Sequence, residues 1–541
     1  MTPQSGPPDD HLAPVDRRNI VITGFMGAGK STIAREVAHI LGRPLVDMDQ
    51  VIAERAGMSI AEIFSRYGEQ AFRQQERALS EELSTQECLV IATGGGTLVD
   101  AGNRELLARN GYLVCLDGEV DELLLRLRGK DDRPMLWDED PSRRLRDLLH
   151  SRQPAYAEIP YHLHTGSQPP TELAQEVIEL TAAEPRVWQV ATPTGSYPVY
   201  LLPGGLRHLG PLLRARGISS KVMIVSDEHV WPLHGSRLLA GLQASRYTPT
   251  PIILPAGEQH KNLDTVRLLY DQFIEAGLER SGAVIAIGGG VVTDMVGFAS
   301  ATYMRGVPLV PVPTTLLGMV DASVGGKVAV DHPRGKNLVG AFVQPLLVML
   351  DPAMLSTLPE LEHRAGLAEV IKAGIIADAE LFAFLEAQDS MPAPPSMRWL
   401  VERALAVKIA VVEEDPYERG RRAVLNLGHT FAHALEVLSS YQLHHGLAVS
   451  LGIVAAAHLA EARGLMATGT RERIVATLGR HGLPTRYAAY PPQVIYGAMQ
   501  SDKKKRGAAL RFVLPRDIGE VVIVDDVSES QVIQALERIR S

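Results

Sequence analysis

The stretch Asn19-Ile20-Val21-Ile22-Thr23-Gly24-Phe25-Met26-Gly27-Ala28-Gly29-Lys30-Ser31 decides the first fold. Residues 19–25 form a short apolar β-type run, and Gly24 to Ser31 match G-x-x-x-x-G-K-S ahead of a helix-like segment. A glycine-rich turn between strand and helix lets consecutive N–H groups and the helix N-terminus face phosphates. Lys30 then neutralises the β/γ charge and Ser31 offers a hydroxyl to Mg²⁺, so Gly27, Ala28, Gly29, Lys30, Ser31 and Thr32 are the candidate nucleotide-binding residues. Outward from this turn, strand-like runs recur at 88–94 and 112–117 between helical patterns. Such alternation predicts a parallel sheet with helices on both faces, fading near residue 184.

A second α/β series starts near Val187, with strand-like runs at 222–227, 250–255 and 282–290. From about residue 355 helical periodicity dominates, and β signals return only at 510–515 and 519–526. The predicted fold class is α/β throughout. A loose Pro- and Asp-containing tail (1–16) precedes a phosphate-loop domain at 17–183. Behind it come an α/β part at 186–354 and a mostly helical part at 355–541.

The 541 residues suit several domains at about 150 residues each. With 54 Lys plus Arg against 63 Asp plus Glu, the net charge is −9, a poor basis for binding nucleic acid. The one dense basic run is Lys503-Lys504-Lys505-Arg506. Two cysteines, Cys88 and Cys115, make no disulfide framework, which fits a reducing cytoplasm. No export signal is read, and the apolar stretch 447–460 is too short to span a bilayer, so it is expected to be a buried helix. Small-molecule substrates, not nucleic acid or membrane, are the expected partners.

In the front part, Asp47-Met48-Asp49 follows a strand-like run; in an extended segment the two carboxylates would share a face, one for Mg²⁺ and one for an acceptor hydroxyl. Gly68-Glu69, Phe72-Arg73 and Thr93-Gly94-Gly95-Gly96 follow. Together these resemble shikimate kinase over residues 19–165. The resemblance implies that Asp49 binds ring hydroxyls of shikimate, Asp47 lies on the Mg²⁺ side, and Arg73 with Gly94, Gly95 and Gly96 holds the substrate. It also makes Arg133 a lid arginine over ATP and Arg152 the partner of the substrate carboxylate. Guanidinium forks suit such bidentate work, and in-line transfer of the γ-phosphoryl is the implied chemistry.

In the back part, Gly288-Gly289-Gly290 turns from a strand into a helix, a weak pyrophosphate signal on its own. More specific are Tyr303-Met304-Arg305-Gly306, Pro313-Thr314-Thr315, Val320-Asp321 through Gly326-Lys327, and Gly335-Lys336-Asn337. Arg305, Lys327 and Lys336 sit among small apolar residues, where poor solvation would call for an anionic substrate. Glu369 and Lys372 share a helical face, as do His429 and His433, with His445 further on. One carboxylate plus imidazoles is a catalytic metal set with open positions, and spacing alone favours His429 and His433 as the chelate.

These motifs resemble 3-dehydroquinate synthase over residues 186–541. The resemblance implies Glu369, His429 and His445 as ligands of Zn²⁺ or Co²⁺, with His433 beside the substrate. It implies substrate roles for Arg305, Asp321, Lys327, Lys336, Asn337, Lys372, Lys408, Arg422, Asn426 and His433, and for Lys503 or Lys504, a register the Lys503–Lys505 run leaves open. On the NAD⁺ side it implies Asp227, Glu258, Lys261, Gly289, Gly290, Asp294, Thr314 and Thr315, with Lys327 and Lys336. The implied reaction removes and returns a hydride around phosphate elimination, ring opening and an aldol closure, converting a seven-carbon 2-keto acid phosphate to 3-dehydroquinate. A homodimer through the back unit is the family expectation.

Two departures stand out. Thr293 takes a position where many members have Gly, which a β-branched side chain would bar from positive φ. Leu447 replaces a Glu, removing a partner expected near the metal. The leading expectation is one chain carrying two activities of aromatic biosynthesis; the alternative makes the back half another sugar-phosphate cyclase or a metal-dependent polyol dehydrogenase.

Overall fold

The computed structural model describes residues 17–118, 120–127, 141–166, 168–182, 185–388, 392, 394–506 and 510–540. The chain divides into two compact units, one of residues 1–185 with 208–218 and one of residues 186–207 with 219–541. The tail expected at 1–16 lies outside the described residues.

The first unit is built on a five-stranded sheet in the order Leu45–Asp47, Val90–Ala92, Asn19–Gly24, Gly111–Asp117, Tyr161–His164, all parallel. The central strand Asn19–Gly24 is buried at every position, which is why it reads as a continuous apolar run and not an alternating one. Strand order reverses about that strand, so the carboxyl ends of the middle strands open a crevice where ligands of such sheets bind. Helix Lys30–Leu41 starts in that crevice, and helix Ile60–Leu83 is kinked at Gly68 (φ 79°), re-aiming its second half toward the same end.

The second unit has a four-stranded parallel sheet in the order Leu309–Pro313, Ala283–Gly288, Val222–Asp227, Thr250–Leu254. Helix Gly290–Thr302 and helix Leu263–Glu275 pack apolar residues such as Val296, Leu269 and Phe273 against it. Beside it lie a three-stranded sheet (Val348–Leu350, Gly195–Leu201, Arg186–Thr192) and an antiparallel hairpin, Lys327–His332 with Gly335–Phe342. The hairpin carries Lys327, Lys336 and Asn337, with exposed and covered residues interspersed around a charged tip.

The rest of this unit is mostly helical. Helix His445–Ala462 is, among the described residues, the one long and apolar enough to cross a membrane, but 72% of it is buried inside the unit. It packs against helices Glu360–Ala377 and His429–Leu438. Two glycines allow that approach: a Cβ on Gly446 would stand 2.0 Å from the Ala365 carbonyl oxygen, and one on Gly452 2.0 Å from that of Gly428. Backbone cannot yield as a side chain can. Gly452→Ala is therefore expected to cost about 3 kcal/mol, seen as a lower Tm of the back-unit transition in calorimetry with the front-unit transition unmoved.

Candidate active sites

In the first unit the glycine turn takes the shape its residues demand: Gly27 and Gly29 sit at φ 83° and 91°, in the left-handed region. Lys30 Nζ donates to the Phe25 carbonyl at 3.1 Å, while Ser31 and Thr32 are exposed at the start of the helix. Facing this loop is Gly94-Gly95-Gly96, following strand Val90–Ala92. The Gly95 carbonyl accepts from Arg152 Nη1 at 2.9 Å and from the Tyr156 hydroxyl at 2.5 Å. A Cβ on Gly95 would be 3.7 Å from Lys30 Nζ, one on Gly94 2.6 Å from Asp49 Oδ1, and one on Gly96 2.6 Å from Arg73 Nη1. Lys30, Asp49, Arg73 and Arg152 thus surround one small glycine hub.

Behind the hub lies a residue the sequence did not single out. Glu76, 1% exposed, binds Arg73 Nη1 at 2.6 Å and accepts from the Thr97 hydroxyl. Burial pushes its carboxyl up, Thr97 and Arg73 pull against that, and the nearby Asp49 charge adds to the rise. In the polar run 73–82 it looks like one more solvated helix residue, so no local signal marked it.

One expectation here is corrected. Asp47 and Asp49 do not share the face of an extended segment: the strand stops at Asp47, and Met48–Ala56 is a helix. Asp47 caps that helix by accepting from the Gln50 N–H at 3.3 Å, and Asp49 stands in its first turn. Arg133 lies outside the described residues.

In the second unit Glu369 projects from helix Glu360–Ala377, His429 is the first residue of helix His429–Leu438, and His445 is the first of helix His445–Ala462. The Nε2 atoms of His429 and His445 lie 3.9 and 3.8 Å from Glu369 Oε1. That oxygen is buried and has no hydrogen-bond partner. The opposite nitrogens are occupied, His429 Nδ1 by the Leu427 carbonyl at 3.3 Å and His445 Nδ1 by Glu436 Oε1 at 3.3 Å. Such outer bonds place a proton on Nδ1 and leave the Nε2 lone pairs converging on an orphan carboxylate oxygen. These three residues fit a divalent cation. The His429 and His433 rings are 5.5 Å apart, but the ligand atoms gathered within 4.8 Å belong to Glu369, His429 and His445, not to the pair that spacing alone favours.

Burial, with Lys372 and the other two histidines, holds His429 well below the usual imidazole range. Burial also opposes charge on His445, but the Glu436 hydrogen bond and the Glu436 and Glu369 carboxylates outweigh it and push it up. Glu436→Ala is expected to weaken divalent-ion binding by about 10–100-fold, read by competition with a chelator, whereas Glu436→Gln, which keeps an acceptor, should lose less.

Around this cluster, Lys372 pairs with Glu369 and donates to the Leu425 carbonyl at 2.6 Å. Lys408 pairs with Asp321, whose carboxylate is held well below its usual range: burial resists, but Lys408 and Lys372 prevail. Arg422, 2% exposed, donates to the Pro416 and Gly325 carbonyls at 2.5 and 3.2 Å. Glu418, also unmarked in the sequence because 413–422 reads as a charged turn, accepts from Lys327 and from Asn426 Nδ2 at 2.7 Å.

On the sheet side, Lys261 bridges Asp294 at 2.6 Å and Asn337 at 2.7 Å. Glu258 pairs with Lys336 at 3.1 Å. Asp227 ends its strand and accepts from the His229 and Val230 N–H groups, both at 2.9 Å. Gly289 caps helix Gly290–Thr302; a Cβ there would be 3.2 Å from Thr315, and the Thr314 N–H bonds back to Gly288 at 2.9 Å.

Three expectations change. Arg305, Lys327 and Lys336 are not poorly solvated: Arg305 is exposed with no ion pair among the described residues, the Lys327 side chain is 49% exposed, and both lysines have carboxylate partners. The poorly solvated cations are Lys261, Lys372 and Arg422. Thr293 needs no positive φ, because it lies inside a helix, its hydroxyl bonded to the Gly289 and Gly290 carbonyls at 3.3 and 3.2 Å. Leu447 does not leave the cluster without support, since Glu436 partners His445. Lys503, Lys504 and Lys505 belong to helix Pro492–Arg506, but their side chains lie outside the described residues.

Two enzyme classes emerge: a phosphate-loop kinase for a small anionic acceptor, and a metal-dependent α/β enzyme whose cations converge on an anionic substrate. The shikimate kinase family profile matches residues 26–182, and the N-terminal and C-terminal 3-dehydroquinate synthase profiles match 251–365 and 366–505. The chain belongs to the 3-dehydroquinate synthase family, with a shikimate kinase domain in front of it. It is 46% identical over 343 residues to the 3-dehydroquinate synthase of Pelobacter propionicus, covering 62% of this chain and 94% of that one. The Synechococcus enzyme of the same name is 44% identical, covering 65% and 98%. Among solved structures, the 2-epi-5-epi-valiolone synthase of Streptomyces hygroscopicus, with NAD⁺ and Zn²⁺ bound, superposes with TM-score 0.60 at 31% identity, covering 65% and 99%.

Proposed function

We propose a division of roles among the residues of a two-activity enzyme of aromatic biosynthesis, one that phosphorylates shikimate from ATP and converts 3-deoxy-D-arabino-heptulosonate 7-phosphate to 3-dehydroquinate and phosphate. In the front unit, the N–H groups of Gly27 to Thr32 and the Lys30 ammonium receive the ATP phosphates, with Ser31 and Asp47 on the Mg²⁺ side and Arg133 closing over them. Asp49 orients the acceptor hydroxyl toward the γ-phosphorus and takes its proton. Arg73 and Arg152 grip the shikimate, and Gly94 to Gly96 keep the floor free of side chains so that the ring approaches the backbone. Proximity and fixed charge carry most of the acceleration in this chemistry.

In the back unit, Glu369, His429 and His445 hold Zn²⁺ or Co²⁺, and Asp227, Glu258, Lys261, Gly289, Gly290, Asp294, Thr314 and Thr315, with Lys327 and Lys336, form the NAD⁺ side. When bound, these groups supply polarisation of substrate oxygens and a reversible hydride acceptor. Lys372, Lys408, Arg422 and Arg305 balance the substrate phosphate and carboxylate, Asp321 keeps Lys408 charged and oriented, Asn337 and Asn426 hold hydroxyls, and His433 is placed to move a proton at the substrate. The late lysine comes from Lys503 or Lys504. The observation that carries this reading is the convergence of two Nε2 lone pairs on the unpartnered Glu369 oxygen.

We further assign the domains as 17–183, 186–354 and 355–541, the location as cytoplasmic and the assembly as a homodimer through the back unit. Identity of 46% to a 3-dehydroquinate synthase against 31% to a valiolone synthase favours 3-dehydroquinate over another cyclic product. The test incubates the purified chain separately with shikimate plus ATP and with the heptulosonate phosphate plus NAD⁺. Shikimate 3-phosphate in the first tube, and phosphate release with no accumulating NADH in the second, are expected. Net NADH would mean a dehydrogenase, and a different carbocycle another cyclase.

A further inference from the structure

A second cluster of ligating side chains lies in the first unit, on residues given no role in either reaction above. Cys115 and Asp117 are two apart on strand Gly111–Asp117 and therefore share a face, and His162 on strand Tyr161–His164 pairs directly with Cys115 across the parallel ladder. One ligand atom from each lies within 4.8 Å of the others. Cys115 Sγ is 3.6 Å from Asp117 Oδ1, and His162 Nδ1 is 2.7 Å from Asp117 Oδ2. Around a tetrahedral Zn²⁺, neighbouring ligand atoms stand roughly 3.4 Å apart, so shifts of under about 1 Å would close the set.

The surroundings are those of a ligand set. His162 Nε2 faces the Ile159 carbonyl at 3.1 Å. In the tautomer with its proton there, the Nδ1 lone pair is aimed at a carboxylate. A neutral ring has one proton for these two oxygens, so a second proton or a metal cation completes the set, and a main-chain carbonyl on the far nitrogen is the usual outer bond of a metal-bound imidazole. Cys115 and His162 are buried, whereas the Asp117 side chain keeps 27% of its exposure and gives the set one open side. A thiolate and a carboxylate also balance a divalent charge in a place where net charge is costly.

We propose that Cys115, Asp117 and His162 form a binding site for a thiophilic divalent cation of the Zn²⁺ type, distinct from the Glu369, His429 and His445 cluster. Binding forms the sulfur–metal bond and breaks the S–H bond, the proton leaving to solvent; no electron is transferred. The site does not depend on the roles assigned above.

The test titrates the full chain with Co²⁺ and follows thiolate-to-metal charge-transfer absorption. The back-unit cluster holds no sulfur, so its occupancy contributes nothing to that band, and the chain has only one other cysteine, Cys88. A band that saturates by about two equivalents, one for each cluster, persists in Cys88→Ser and disappears in Cys115→Ser and His162→Ala is expected, with Zn²⁺ in competition removing it. Persistence in Cys88→Ser assigns the sulfur even if a Cys115 variant folds poorly. No band in the unmodified chain, or a band lost in Cys88→Ser, overturns the proposal; a pair held only by a shared proton gives the first of these results.

Discussion

His429→Ala is expected to empty the back-unit metal site and lower 3-dehydroquinate formation by at least about 10³-fold, the equivalent of several kcal/mol of lost Lewis-acid stabilisation. The argument rests on geometry. Glu369 Oε1 has no partner other than the two Nε2 atoms facing it at 3.9 and 3.8 Å, so removing one imidazole leaves a carboxylate and one histidine, too few donors for a catalytic ion. Metal content by mass spectrometry should fall from about one equivalent to near none in that site. Shikimate phosphorylation by the same preparation should stay within about two-fold, because the kinase hub belongs to the other compact unit. Full metal occupancy with lost activity would show that His429 serves the substrate and not the ion.

Lys30→Met is the converse experiment. It keeps most of the length of the side chain, one atom shorter, and removes a cation standing beside Gly95 and the helix N-terminus, where the proposed reading puts the charge of the transferred phosphoryl. Loss of one preorganised charge contact at such a centre costs about 10²–10³-fold in kcat, and more where the contact also binds ground-state phosphates. Phosphorylation of shikimate should therefore fall by at least about 10³-fold, while phosphate release from the heptulosonate substrate changes by less than about two-fold. A parallel collapse of both activities would contradict two separate sites.

What could be read along the chain was whatever is contiguous. The phosphate turn is a strand, three glycines, a lysine and a helix start within 13 residues, each needed locally for its own backbone or charge reason, so Asn19 to Ser31 announces itself. The buried central strands are equally plain, since a strand covered on both faces has no reason to alternate. The hairpin at 327–342 was not, because half its residues face solvent and its tip is charged. Asp47 and Asp49 misled for a similar reason: an N-cap residue is itself extended (Asp47 φ −93°, ψ 110°), so position 47 ends a strand and caps a helix at once, and only the chain's path beyond it shows where Asp49 stands.

Residue types alone point to two anion-handling sites and to most of the groups proposed to line them, because phosphate, carboxylate and divalent ions each demand a narrow chemistry. Folding alone decides which partner each group keeps. Glu76 beneath Arg73, Glu418 between Lys327 and Asn426, and Glu436 behind His445 are ordinary acidic residues until helices close over them. Even the choice of His445 over His433 follows from packing: Gly446 and Gly452 let one helix press against the Ala365 and Gly428 backbones, which brings an imidazole from a different helix to Glu369. A ligand set drawn from three helices is a property of distances between backbones, and those distances are set by side chains that never touch the ion.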